Sequence, residues 1–192
     1  MKPHALISVY DKTNIAQIAS TLHSKGYNII STAGTGKELH RNNIPFIPAS
    51  QVTDNPNILK DCIQTISFHV SAGILFNRTK QEHSAQIKSL DIKAIDVVIC
   101  NFPPPKQTVK NLSDFNILNV DVGGPLMIRA AATNYKHALV VVNVCDYDDV
   151  IYALKHNLID NNYRKKMAIK AYQYSSSYDS ELVEFLIKGK HA

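Results

Sequence analysis

The stretch Asn119-Val120-Asp121-Val122-Gly123-Gly124-Pro125 decides the fold, because a strand-like run ends there in an acidic residue and a glycine pair just where a helix begins. The helical pattern continues through Arg129-Ala130-Ala131-Ala132-Thr133-Asn134. A parallel α/β protein presents backbone amides to a ligand in this way, at the start of a helix that follows a strand. The stretch therefore predicts an α/β fold with a ligand site at this turn.

The first part of the chain alternates strand-like and helix-like segments. An apolar run at residues 5–9 predicts a strand, and a helical pattern follows at about 12–25, with Asp11 placed to cap its start and Gly26 placed at its end. Next come a second strand at 27–30, a loop at 31–36, a short helix through Leu39 and an extended segment at 44–48. This order predicts successive βα units.

Later segments complete the predicted architecture. Residues 96–100, which are apolar after Asp96, and residues 138–142 are runs rich in β-branched residues, the pattern of strands buried on both faces of a parallel sheet. Asp146 is placed to cap a helix through Leu154, and residues 161–187 are predominantly helical. We expect the apolar positions of that last helix to be Ile169, Tyr172, Leu182, Phe185 and Leu186, and we expect Tyr172, Tyr174 and Tyr178 to pack against the sheet. The whole pattern predicts a three-layer α/β/α protein with a mainly parallel central sheet.

Length and composition indicate the class of protein. A chain of 192 residues that is 45% hydrophobic is long enough for one sizeable core, so we expect a single domain over residues 1–192. No apolar run is long enough to span a bilayer, and the first residues lead directly into a strand rather than a signal-peptide core. These features predict a soluble, cytoplasmic protein without a membrane partner.

The distribution of charge and the spacing of the cysteines argue against a nucleic-acid site, a disulfide framework and a metal site. The formal net charge is +5, but the lysines are scattered and Arg164-Lys165-Lys166 is the only basic run, so a small anion explains the surplus better than a nucleic acid does. Cys62, Cys100 and Cys145 are widely spaced without a C-x-x-C pair, which predicts reduced structural thiols. The histidines lack the spacing of metal ligands. We expect neither a metal nor a cofactor.

A group of polar residues near two strand ends predicts a phosphate site. Lys12 follows the first strand near a helix start, and the turn after the second strand contains Ser31, Thr32, Gly34 and Thr35. Hydroxyls and exposed amides donate directional hydrogen bonds, a helix start adds a favourable dipole, and the lysine supplies a full positive charge. Each segment alone is also typical of an ordinary turn, but together they favour a bound phosphate.

The chain closely resembles a known family. The segments Ser8-Val9-Tyr10-Asp11-Lys12-Thr13, Ser31-Thr32-Ala33-Gly34-Thr35 and 119–125 are similar to the IMP cyclohydrolase half of the bifunctional AICAR transformylase/IMP cyclohydrolase of purine biosynthesis, which has a methylglyoxal-synthase-like fold. The resemblance runs over nearly the whole chain, to Ser177-Tyr178-Asp179. Ala33 replaces a glycine of the family's phosphate loop, which is tolerated only if the position has a negative φ.

The resemblance implies a ligand and a site. A purine-pathway ribonucleotide monophosphate would be bound, and a homodimer or a separate transformylase would be its protein partner. The residues that would hold the 5′-phosphate are Ser8, Lys12, Ser31, Thr32, Gly34 and Thr35. Those that would surround the base are Thr65, Asn101, Asp121 and Gly124.

Departures from the family fall on the groups that would assist the reaction. In the family, an amine attacks a formyl carbon of the same substrate molecule and water is lost, so folding the substrate already supplies much of the rate. Proton transfer and stabilisation of the formyl oxygen supply the rest. An arginine, a lysine, a tyrosine and a second lysine of the family correspond here to Cys62, Gln64, Pro103 and Thr133.

These changes leave three hypotheses open. The first is a nucleotide-binding relative whose ordinary ring closure is lost or strongly reduced. The second is a working enzyme with a rearranged site, in which the candidate catalytic residues are Asp121, Gln64 and Thr133, with His69 as a further titratable group that is equally well explained as an ordinary histidine. The third is a non-enzymatic partner or regulatory module.

Overall fold

The computed structural model describes residues 2–53, 55, 63–109 and 119–188. Its strands are β1 His4–Val9, β2 Asn28–Ser31, β3 Ile47–Pro48, β4 Ile95–Asn101 and β5 Leu139–Val141. Its α-helices are α1 Ile15–Ser24, α2 Ala33–Arg41, α3 Ala49–Thr53, α4 Phe68–Leu75, α5 Gln81–Ser89, α6 Pro105–Thr108, α7 Gly123–Thr133, α8 Tyr147–His156 and α9 Asn161–Lys188. No helix within these ranges is both long and apolar enough to cross a membrane.

The strands form one parallel sheet in the order β3-β2-β1-β4-β5. In register, Leu6 of β1 lies between Ile30 of β2 and Val98 of β4, and Val140 of β5 pairs with Val98. The strand order reverses at β1, whose two neighbours β2 and β4 come from different parts of the chain. In a sheet of this kind, ligands bind outside the carboxyl ends of the strands at the point of reversal.

Helices cover both faces of the sheet, so the predicted α/β/α class is confirmed. Alternate strand residues point to opposite faces, which gives two cores. One core joins the sheet to α1, α2 and α8, and includes Ile7 and Ile18. The other joins it to α3, α4, α7 and α9, and includes Leu6 and Ile128. Burial on both faces explains why β4 contains the continuous apolar run at residues 97–100.

Three predicted helix ends differ in how well they agree with the structure. Asp11 does not cap α1, because its carboxylate accepts the Thr13 amide at 2.9 Å in a turn and the helix begins only at Ile15. Asp146 does precede α8, but its side chain does not cap the helix and instead pairs with Lys170. Gly26 follows α1 with a φ of 89°, as expected for a glycine that ends a helix.

The predicted loop at 31–36 is largely helical. β2 ends at Ser31, Thr32 occupies the N-cap position, and α2 begins at Ala33. Ala33 is not among the described residues with positive φ, so alanine fits where the family has glycine. The hydroxyl-rich segment is therefore the first turn of a helix, which changes how it can meet an anion.

Several apolar positions predicted for α9 face away from the core. Ile169 is 51% exposed, because the inward face of this helix is instead formed by Met167, Ala168, Ala171 and Tyr178. Tyr172 and Leu186 are also exposed, while Leu182 is partly buried. Small residues such as Ala171 allow α9 to lie close to α7 and β5. A prediction based on hydrophobicity alone favours the larger apolar residues and so misses these positions.

The cysteines of the described ranges are free thiols. Cys100 is buried in β4, and burial raises the pKa of its thiol well above the ordinary value. Cys145 is exposed in a short 3-10 helix, Val144–Asp146, and so does not have the buried surroundings expected of a structural thiol. Cys62 lies outside the described residues.

Candidate functional site

A cavity of about 300 Å³ lies at the carboxyl edge of the sheet, beside the point where the strand order reverses. It is bounded by the end of β1, the first turn of α2, the segment after β4 and the start of α7. The residues that line it are Ser8, Thr32, Ala33, Gly34, Gln64, Thr65, Pro103, Thr108, Asn119, Val120, Asp121, Val122, Gly123, Gly124 and Met127. We call it the carboxyl-edge cavity.

The first turn of α2 offers backbone amides to this cavity. The Thr32 side chain does not cap the helix and instead donates to the Ser8 hydroxyl at 3.2 Å. Ala33 and Gly34 are exposed and line the cavity. Because the first amides of a helix have no partners within the helix and carry its positive dipole end, this turn suits an anion.

Two residues predicted to bind the phosphate, Thr35 and Ser31, use their hydroxyls for hydrogen bonds within the protein and do not face the cavity. The buried Thr35 hydroxyl accepts the Val9 amide at 2.9 Å and lies 3.3 Å from the Val9 carbonyl oxygen, which fastens α2 to the end of β1. The buried Ser31 hydroxyl donates to the Thr32 carbonyl at 3.2 Å. Neither residue lines the cavity. They hold the turn that presents Thr32 and Gly34.

Lys12 also lies outside the lining. Its ammonium group donates to the Tyr10 carbonyl at 3.1 Å, in the exposed segment between β1 and α1. Asn101, which is predicted to contact the base, instead holds the same segment in place. Its Oδ1 atom accepts a hydrogen bond from the Asp11 backbone amide at 2.8 Å, and its Nδ2 atom donates to the Asp11 carbonyl at 3.2 Å. Asn101 thus ties the segment that carries Lys12 to the end of β4.

Asp121 organises the start of α7. Its carboxylate accepts the Gly124 amide at 2.7 Å. Burial raises the pKa of the Asp121 carboxyl, and the hydrogen bond from Gly124 offsets part of that rise. A side chain at Gly123 would place its Cβ 2.5 Å from the Thr65 hydroxyl, and one at Gly124 would place it 2.5 Å from the Phe102 ring. The glycine pair therefore lets α7 begin in contact with both walls of the cavity.

Two tyrosines of α9 support this arrangement from behind. The Tyr178 hydroxyl accepts the Asp121 amide at 2.8 Å. The Tyr174 hydroxyl accepts the Phe102 amide at 3.1 Å and donates to the Phe102 carbonyl at 3.0 Å. Both rings pack on the Phe102 ring, with centroid distances of 4.8 and 4.6 Å. Sequence reasoning missed this supporting role; the only signal was the spacing of four residues, which puts both tyrosines on one face of a helix.

The four candidate catalytic residues are not all brought together. Asp121 and Gln64 line the cavity. Thr133 is at the other end of α7, about 15 Å along the helix from Gly123, and its hydroxyl contacts the Arg129 carbonyl and the Tyr172 hydroxyl, each at 2.7 Å. His69 lies in the first turn of α4 against Phe68 and outside the lining.

The charge of the cavity is unusual for a site expected to bind a phosphate. Among the described residues that line it, Asp121 carries the one formal charge and neither lysine nor arginine is present. Gln64 and Pro103 occupy the wall where the family would have a lysine and a tyrosine. The cavity therefore offers amides, hydroxyls and a carboxylate, and charge stabilisation would come from helix ends.

Comparisons with known proteins show which families this chain resembles. The MGS-like domain family matches residues 14–136, and the AICARFT/IMPCHase bienzyme family matches residues 131–192. The bifunctional purine biosynthesis protein PurH of Staphylococcus saprophyticus is 36% identical over 191 residues, which is 98% of this chain and 39% of that protein. PurH of Staphylococcus aureus strain Newman is 37% identical over 184 residues, 94% of this chain and 37% of that protein.

A solved structure extends the comparison to three dimensions. The crystal structure of ForH superposes with a TM-score of 0.84 at 28% identity, over 97% of this chain and 100% of that chain. The chain thus spans well under half the length of the PurH relatives and matches ForH from end to end. The resemblance inferred from the sequence is confirmed: this chain belongs to the MGS-like domain family and is related to the IMP cyclohydrolase domain of PurH.

Proposed function

We propose that the carboxyl-edge cavity binds a purine-pathway ribonucleotide monophosphate and that ordinary ring closure is lost or strongly reduced. The observation that carries this proposal is the combination of an uncapped α2 start with a lining that holds no described lysine or arginine. The first feature favours binding of a phosphate. The second removes groups that would stabilise the reaction.

The phosphate half of the ligand would lie against α2. The amides of its first turn and the Ser8 and Thr32 hydroxyls can donate to phosphate oxygens, and the helix dipole favours the negative charge. Lys12 would add a full charge if its ammonium group left the Tyr10 carbonyl, a contact at the protein surface. The base half would then extend toward α7, where Asp121 can accept an N–H group of the base.

Reduced chemistry follows from the same lining. As the amine nitrogen bonds the formyl carbon, negative charge develops on the formyl oxygen, which finally leaves as water. Removing one preorganised donor to such an oxygen typically lowers a rate by about two to three orders of magnitude. Gln64 can still donate one hydrogen bond, whereas Pro103 cannot donate any. Orientation of the two reacting groups within one substrate would leave a slow residual reaction.

One observation favours the second hypothesis, a working enzyme with rearranged roles. Burial raises the pKa of Asp121, which brings the carboxylate closer to the range in which a general base operates well. Such an enzyme would lose its rate in Asp121→Asn, and the rate of the unaltered protein would rise with pH as Asp121 ionises. A binding protein would show neither effect on the uncatalysed background.

Calorimetric titration with inosine monophosphate, followed by an absorbance assay on the formylated substrate, tests the proposal. We expect micromolar binding of inosine monophosphate, much weaker binding of inosine, and ring closure no faster than background. Lys12→Ala should weaken binding, while Lys37→Ala, an equal change of charge at an exposed position of α2 outside the cavity, should not. Absence of nucleotide binding would refute the proposal, and rapid closure would establish the working enzyme.

Protein partners remain a proposal drawn from the relatives, which are bifunctional. A separate transformylase would be the partner if this chain serves as one half of such a system, and a homodimer is the second expectation. Light scattering and pull-down with a transformylase test these two points. If the chain is a non-enzymatic partner or regulatory module, Lys12→Ala will reduce ligand binding and leave assembly unchanged.

A further inference from the structure

A second and larger cavity, of about 680 Å³, lies at the opposite edge of the sheet. Its lining includes Pro3 and Ala94, which precede β1 and β4, and Leu139 at the start of β5. It shares no lining residue with the carboxyl-edge cavity. We call it the amino-edge cavity.

Positive charge predominates in its lining. Lys25, Arg78 and Arg164 line the cavity, and Asp96 is the one carboxylate among the described lining residues. His137 lines it as well, and burial, followed by the charges of Arg78 and Arg164, lowers the pKa of its imidazole. A neutral imidazole can still donate a hydrogen bond to an anion.

The cations differ in how fully their hydrogen bonds are used. Arg78 donates to the carbonyls of Gly73, Ile74, Phe76 and Ile95 and pairs with Asp96 at 3.3 Å. Lys25 donates to the Lys155 carbonyl at 3.1 Å. The Nε atoms of Arg78 and Arg164 are both buried without a partner. The terminal nitrogens of Arg78 carry the contacts given above, whereas the Arg164 guanidinium makes no hydrogen bond or ion pair with the described part of the chain.

The buried Nε–H of Arg164 is a costly arrangement, because this donor has lost water without gaining an acceptor, and the terminal nitrogens of the group have no acceptor among the described residues. Its neighbours make the cost larger, since Arg78 and Arg164 repel each other and Asp96 already pairs with Arg78. A bound anion would supply the missing acceptor. Arg164 is therefore the residue around which a ligand site is built.

We propose that the amino-edge cavity binds a phosphate monoester that carries a flat apolar group, with its phosphate on Arg164. A phosphate dianion balances the excess of three cations over one carboxylate, and guanidinium binds phosphate with paired hydrogen bonds. Tyr27, Phe76, Leu154 and Ile159 contribute apolar side chains to the same lining, which an apolar group could contact. This inference does not depend on the function proposed for the carboxyl-edge cavity.

Titration with phenyl phosphate tests the proposal, followed both by calorimetry and by the NMR signal of the His137 imidazole. We expect binding with a rise in the pKa of His137, because a nearby anion stabilises the imidazolium form. Phenol and benzoate should bind at least tenfold more weakly, and inorganic phosphate should bind more weakly than phenyl phosphate. Arg164→Gln should weaken phenyl phosphate binding at least tenfold.

Lys165→Gln is the matched control, because it makes the same change of charge at the next, exposed position of α9. It should leave binding and the His137 shift unchanged. In the absence of ligand, Arg164→Gln should melt no lower than the unaltered protein, since the guanidinium it removes has no partner. Equal weakening by both variants, binding without a response of His137, or no binding at millimolar phenyl phosphate would each overturn the proposal.

Discussion

Replacing Tyr178 with phenylalanine tests how the carboxyl-edge cavity is held together. The substitution keeps the ring, and so keeps its packing on Phe102, but it removes the hydroxyl that accepts the Asp121 amide at 2.8 Å. Tyr178 is only 5% exposed, so that amide is left without an easy replacement. An unsatisfied, partly buried amide costs about 1–2 kcal/mol of unfolding free energy, which corresponds to about 2–8 °C in melting temperature for a chain of this length.

The same substitution should lower ligand affinity. Without its anchor, the segment around Asp121 has to be ordered when the nucleotide binds, at about 0.5–1.5 kcal/mol, which is a loss of roughly two- to twelvefold in affinity. Urea unfolding measures the first effect, and calorimetric titration with inosine monophosphate measures the second. Tyr172→Phe is the control, because it makes the identical change on the same helix where the hydroxyl contacts Thr133 far from the cavity.

The two variants separate anchoring from a general effect of losing a hydroxyl. Tyr172 is 40% exposed, so its substitution should change the unfolding free energy by less than about 0.5 kcal/mol and leave affinity unchanged. If Tyr178→Phe and Tyr172→Phe gave the same stability and the same affinity, the Tyr178 hydroxyl would have no part in holding Asp121.

Three further predictions concern two residues of the carboxyl-edge cavity, Gly124 and Asp121, and one of the amino-edge cavity, Arg78. Gly124→Ala should lower the unfolding free energy by about 1–3 kcal/mol in urea, because the new Cβ would lie 2.5 Å from the Phe102 ring. Gly34→Ala is the control: no atom lies within 4 Å of its Cβ, so it should change the unfolding free energy by less than about 0.5 kcal/mol. Burial raises the pKa of Asp121 in the folded state, so ionisation of this carboxyl opposes folding as the pH rises above the ordinary pKa of 3.8. Asp121→Asn removes the ionisation and should therefore increase the unfolding free energy at pH 7. In a pH series this gain should vanish by about pH 3, where the carboxyl is protonated in both states. Arg78→Ala should cost about 3–5 kcal/mol in thermal or urea unfolding, because Asp96 loses its ion pair and the Gly73 and Ile95 carbonyls lose the guanidinium, whereas the Ile74 and Phe76 carbonyls keep the side-chain amide of Asn134. Arg41→Ala, whose side chain is 74% exposed, should cost less than about 0.5 kcal/mol. A similar cost for both would contradict the buried role of Arg78.

Much of the fold could be predicted from local sequence patterns. The runs at β4 and β5 are continuous and apolar because both faces of those strands are buried, and this leaves a signal within each strand itself. The start of α7 was equally clear, since Asp121 and Gly124 are three residues apart and their hydrogen bond is local. The strand-like run predicted to end at Asp121 was wrong, because residues 119–122 are in turns, bends and irregular structure rather than in a strand. The secondary structure was predicted wrongly mainly at the start of α2, where a loop was expected. Serine, threonine and glycine are common in turns, but they also occur in the first turn of a helix.

The candidate site was harder to predict because its contacts join distant parts of the chain. Tyr178 is 57 residues from Asp121, and nothing near either residue indicates the other. Whether a side chain enters the cavity also depends on the rotation of its helix: Thr32 and Thr35 lie in one short segment, yet the first lines the cavity and the second is buried against β1. The amino-edge cavity left no signal at all, since Arg78 and Arg164 meet only through the fold.

The long helix α9 has a practical consequence for anyone who divides this chain into pieces. Every described residue that lines the carboxyl-edge cavity comes before α7 ends, so a shortened chain that stopped at Ala171 would retain all of them. It would nevertheless lack Tyr174 and Tyr178, whose hydroxyls fix Phe102 and Asp121. We expect such a fragment to contain every described residue that lines the cavity and still to lose the shape of the cavity. The boundary of the functional unit is therefore set by the residues that brace the pocket.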